Sequence, residues 1–278
     1  MSCKQFIAAG AVIGTLVSAT AHASMVWSLG SSNGGSASTW VTQRNYSTGG
    51  VDLAATAWAN TGGADGGAGA VPADQQTIQS AYLGWWSGNG LGVGNADAGT
   101  ASSKDQNEGN NPEHATDNNQ RYDSILLSFT EAVKLETLKL GWFNTDSDVS
   151  VLAYTGNASP LPLAGLKYQS LTSNGWSLIG HHSNVGSTDP VSINAAGIVS
   201  SFWLIGAFNP LVGAAQSWTV GNDYVKLAAV SGSTVPTPPA GVPEPGSLTL
   251  AALALGLIAL TGSRRPGALD FGPLNRTA

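Results

Sequence analysis

The sequence predicts an all-β protein. It reads as an antiparallel β-sandwich or jelly-roll-like domain, preceded by a helical signal segment and followed by a single transmembrane helix. Three observations carry this. Apolar and polar residues alternate at period two in several segments, as on half-buried strands. Turns rich in Gly, Asn and Asp separate those segments, in a chain with 36 glycines among 278 residues. Long uncharged apolar runs of helical character occur only at the two ends.

Residues 1–23 read as a secretory signal peptide. Lys4 supplies the positive start, and Phe6 to Val17 is apolar and small, too short to span a bilayer as a mature helix. Ala21-His22-Ala23 fits the small-x-small cleavage pattern, which places the mature start at Ser24. Cys3, the one cysteine, leaves with this segment. An exported chain without disulfides must draw its stability from a core or from bound ions.

Residues 24–230 form the predicted domain. Within Tyr122–Phe129, Ile125, Leu127 and Phe129 share one face. In Val133–Trp142 the apolar positions start odd (Val133, Leu135) and end even (Leu138, Leu140, Trp142). One extra residue near Thr137, a β-bulge, produces such a flip. Val149–Ala153 and Asp223–Ala229 alternate, and Ser201–Phe208 is apolar throughout, as a central strand would be. Further strands are expected at Met25–Leu29, Thr39–Tyr46, Val51–Trp58, Ile78–Trp86 and Trp176–His181. A turn or two of helix fits Leu161–Leu171, limited by Pro160 and Pro162. Two loops stand out: the glycine-rich Asn60–Ala73, and the 35-residue segment Ser87–Arg121, with almost no apolar content beyond Leu91 and Val93. A loop of the latter length in a compact domain is functional or disordered.

Residues 231–242 (SGSTVPTPPAGV) read as a linker. Val242-Pro243-Glu244-Pro245 follows, then the uncharged 16-residue run Ser247–Gly262, then Arg264-Arg265. The two arginines act as a stop-transfer signal and hold that end on the cytoplasmic side. This order, over residues 243–265, resembles the PEP-CTERM sorting signal of Gram-negative bacteria. The resemblance implies an exported precursor tethered to the inner membrane by its C-terminal helix. An exosortase-type membrane enzyme then processes it for the cell surface or the extracellular polysaccharide matrix. The chain departs from the pattern in its tail, residues 266–278, where such signals end soon after the arginines. A looser series also stands in residues 80–155: GLGV, HATDN, YDSILLSF, LGWF and DSDVSV. It is similar to the body of a group of PEP-CTERM exosortase-dependent surface proteins, which implies a β-rich surface protein of unassigned biochemistry.

Eleven basic and seventeen acidic residues give a net charge of −6, and residues 24–243 alone carry fifteen acids and seven bases. Nucleic acid is therefore not an expected partner, because phosphate binding needs a basic patch. Gly30-Ser31-Ser32-Asn33-Gly34 matches the spacing of a hydrolase nucleophile turn, but no long strand precedes it and no helix follows. His181-His182 would point to opposite faces of a strand, and His114 stands in the polar loop beside Glu113. Glu113, Glu131 and Glu136 are the carboxylates from which a glycosidase pair would be drawn. Of Trp85 and Trp86, one must face outward, where an indole offers a stacking face to a sugar ring. A cation site, most plausibly for calcium, is expected from Asp117, Asn118 and Asp123 before one strand and Asp146 and Asp148 before another.

The reading that follows is a non-catalytic exported surface or matrix protein with a structural or adhesive role. The alternative is a carbohydrate-active hydrolase or carbohydrate-binding module working in the exopolysaccharide matrix.

Overall fold

The computed structural model describes residues 24–31, 40–62, 76–95, 114–157, 159–160, 162–213, 216–235 and Leu255. The signal segment, most of the glycine-rich loop, residues 96–113, and all of the sorting region but Leu255 lie outside them. Two units are distinguished, residues 1–235 and 236–278. Among the described residues no helix is long and apolar enough to cross a membrane.

Twelve strands are present among the described residues: β1 (Met25–Ser28), β2 (Gln43–Thr48), β3 (Val51–Gly62), β4 (Thr77–Trp86), β5 (Gly90–Gly94), β6 (Thr116–Asp117), β7 (Asp123–Thr145), β8 (Val149–Tyr154), β9 (Trp176–His182), β10 (Val191–Ser192), β11 (Ser200–Ala207) and β12 (Asp223–Thr234). All the pairings between them are antiparallel. They run in the order β1-β12-β5-β4-β3-β7-β11-β8-β9, and β12 also pairs with β7. The path β12-β5-β4-β3-β7 thus closes on itself as a barrel, and β11, β8 and β9 extend from β7 as a flap of sheet.

The fold is all-β, but a closed barrel with added strands takes the place of two separate sheets. The cause is β7. The segments read as two strands, Tyr122–Phe129 and Val133–Trp142, are one strand of 23 residues without a turn. Its first half pairs with β3 and β11, its second half with β12. The bulge is where the parity flip put it. Ser231 pairs with Thr137 but Gly232 with Leu135, so Glu136 is the extra residue. β12 runs on to Thr234, four residues into the segment read as linker. β5 lies inside the segment read as a long loop, and a 3-10 helix spans Tyr168–Asn174.

Two cores follow from strand alternation. Ile125, Leu127, Val151, Trp203 and Ile205 point into the barrel core with Trp27, Leu53 and Leu83. Their neighbours Leu152 and Leu204 point the other way, with Leu126 beside them, into a second core under Leu163, Tyr168, Leu171 and Val212. That is why Ser201–Phe208 has no polar face: both of its sides are covered.

Candidate functional site

The end of the barrel where β7 turns into β8 collects charge. β7 stops at Thr145, whose positive φ of 62 marks a tight reversal, and Asp146 and Asp148 follow. β12 starts opposite, with Asp223 in register with Thr145 and bridged to Asp146. One carboxylate oxygen from each of Asp146, Asp148 and Asp223 lies within 4.8 Å of the others. Asp223 is fully buried and Asp148 nearly so.

The turn holds each carboxylate through backbone and amide donors. Asn118 Nδ2 donates to Asp223 Oδ2 at 2.6 Å, and the Asp148 N–H donates to Asp223 Oδ1 at 2.8 Å. Asn184 N–H donates to Asp148 Oδ1 at 2.7 Å. Ser147 N–H and Asn222 Nδ2 donate to Asp146. No lysine or arginine among the described residues pairs with any of the three. Burial pushes Asp223 up to about 7, against the two donated hydrogen bonds and with help from the charges of Asp148 and Asp146. Burial raises Asp148 as well, and the charge of Asp146 adds to it.

A shared proton or a hard cation would relieve the repulsion in such an arrangement. Three carboxylates are oxygen donors of the type that calcium takes. Of the five residues expected at a cation site, Asp146 and Asp148 come together here. Asn118 stands behind them, oriented by N–H groups of Gly221 and Asp223 on its Oδ1. Asp117 and Asp123 sit in a neighbouring network instead. Asn95 Nδ2 donates to Asp123 Oδ1 at 2.8 Å, and the Asn119 N–H donates to Asp117 Oδ1. Asp223 was missed because only the β7–β12 register brings it in. Its one local signal is the Gly221-Asn222 turn before the strand.

The remaining candidates are structural in their contacts. Trp85 points inward, 3% exposed, and offers no stacking face. Trp86 points outward and meets Trp40 at 5.7 Å and His114 at 4.9 Å between ring centres. Buried Lys226 reaches between Trp86 and Trp142, with Nζ 4.5 and 3.9 Å from their ring centres, and donates to His114 Nδ1 at 2.9 Å. This is a cation–π stack, and it secures the end of the long loop. His181 Nε2 donates to the Gly213 carbonyl at 2.8 Å, which leaves Nδ1 to accept from Ser150 Oγ at 2.8 Å. Ser150 is buried and also takes the Asn209 N–H, so this Ser–His pair fastens a loop. His182 faces elsewhere, and burial lowers its pKa. Glu136 pairs with Lys134 at 2.7 Å, and Glu131 is exposed. Glu113 and Ser32 lie outside the described residues.

The structure so far defines an all-β domain followed by a separate C-terminal segment. That segment carries the identity: a family model for the PEP-CTERM protein-sorting motif matches residues 241–265. The match covers Val242, Pro243, Glu244, Pro245, Arg264 and Arg265. The chain therefore carries the signal of an exported protein that an exosortase processes at the membrane of a Gram-negative bacterium. No curated protein and no solved structure matches the chain.

Proposed function

We propose that the protein is a non-catalytic component of the bacterial surface or extracellular matrix, with a structural or adhesive role. The sorting motif at residues 241–265 carries this reading. The domain attached to it suits the role, since barrel closure pairs β3, β4, β5, β7 and β12 on both sides in a chain destined for a crowded exterior. Calcium at Asp146, Asp148 and Asp223 would serve as a clamp on the barrel end, in a mature chain that has no disulfide.

Processing tests the delivery step. The mature surface form begins at Ser24 and lacks the apolar run Ser247–Gly262. Mass spectrometry of surface material should return an N-terminal peptide starting at Ser24 and none from beyond Arg265. Peptides from Pro266–Arg276 recovered outside the cell would show that the signal is not cut. An uncut chain would remain a membrane-anchored protein.

A further inference from the structure

The outer face of β2, β3 and β7 is unusual for a solvent-facing sheet. Such a face ordinarily carries long polar side chains that cover the backbone. Here Asn45 lies opposite Ala54, Ala54 opposite Ser128, and Ser128 opposite Phe202 of β11. The next row holds Ser47 and Asp52 in register, with Thr130 Oγ1 receiving the Asp52 N–H at 3.0 Å. The two central positions are small, so the sheet opens into a groove of about 810 Å³. That is within the range of ligand sites.

Further along the same face, Trp58, Leu126 and Leu204 belong to the second core, under the segment that contains the 3-10 helix. The groove lies beside this cover. Ala54 and Ser128 are half-buried, and neither belongs to the core clusters of the described residues. Alanine is a poor strand former, so its presence at an open central position is not explained by local stability.

We propose that this groove binds an uncharged polysaccharide. The lining offers hydroxyl and amide groups, which both donate and accept as a polyol requires. Its one charged side chain is Asp52, with no lysine or arginine, so the groove repels polyanions such as polyuronates. Beyond Ser128 the row continues to Phe202, which packs on the second core. From β2 to β11 the row spans about 15 Å, enough for a short oligosaccharide segment.

Native electrophoresis of the purified full chain through gels containing soluble polymer tests this. The polymers are dextran, galactomannan, xyloglucan and, as the charged control, polygalacturonate. Retardation by at least one neutral polymer, exceeding that by polygalacturonate, is expected. Ala54→Arg and Ser128→Arg should each weaken it about tenfold or more. Both side chains point outward, and an unchanged melting temperature verifies that each variant is folded. If either variant melts early, Ala54→Gln and Ser128→Gln fill the groove more gently and should also weaken retardation. No retardation by any neutral polymer, stronger retardation by polygalacturonate, or binding indifferent to all four folded variants overturns the proposal. The groove is independent of C-terminal processing, so an uncut chain at the membrane would overturn delivery and leave this site standing.

Discussion

Gly90→Ala is expected to destabilise the protein by roughly 2–6 kcal/mol, a loss of about 5–20 °C in melting temperature. Two costs coincide at this residue. Gly90 has φ of 102, a conformation that L side chains rarely adopt. A Cβ placed there would also come 2.1 Å from the Leu227 carbonyl oxygen, a backbone atom that cannot rotate away. The clash falls where the barrel closes, beside the β5–β12 pair Leu91–Leu227. Relief would require β5 and β12 to separate. Gly50→Ala is the control. Gly50 also has positive φ, 83, but lies in the two-residue turn between β2 and β3 with nothing within 4 Å of an added Cβ. It should lose only about 1 kcal/mol. Thermal unfolding of both variants decides the matter. Equal losses would mean that the β5–β12 contact does not hold the barrel shut.

Strand parity was legible in the sequence and strand partners were not. Val133, Leu135, Leu138, Leu140 and Trp142 told where a bulge must lie, since a one-residue shift inverts which face is buried. The same residues said nothing about β7 being continuous through Glu131. Where β7 changes partners, from β3 and β11 to β12, it exposes a few residues, Thr130–Ala132, and those look like a turn. β5 was hidden for another reason. Gly90-Leu91-Gly92-Val93-Gly94 has glycine at every second position, so only Leu91 and Val93 signal a strand. A Cβ at Gly92 would come 2.1 Å from the His114 carbonyl oxygen, which explains the composition but only after the fold is known. The acidic site was half legible. Asp146 and Asp148 share one turn, so spacing alone groups them. Asp223 stands 75 residues away from Asp148 and joins them through a hydrogen bond that only tertiary structure reveals.

The protein should melt at lower temperature as pH rises from about 4 to about 8 in chelator, and calcium should reverse that loss. In the folded state Asp223 is raised from its ordinary 3.8 to about 7, and Asp148 is raised too. A raised carboxyl binds its proton more tightly folded than unfolded. Its contribution to stability is therefore complete below about pH 4 and is lost as pH passes through about 7. For Asp223 this is at most about 4 kcal/mol, several degrees of melting temperature in a domain of this size. Calcium competes with that proton for the same oxygens. Its stabilisation should accordingly be large at pH 8 and small at pH 5, and should grow with ion concentration. Asp146→Asn separates the two effects. Asp146 is the least buried of the three and its charge adds to the repulsion on Asp223. Removing that charge should stabilise the protein in chelator at pH 8 and diminish the gain from calcium. Melting curves that are flat with pH, and identical in calcium and chelator for wild type and Asp146→Asn, would leave the three carboxylates as turn-forming residues and nothing more.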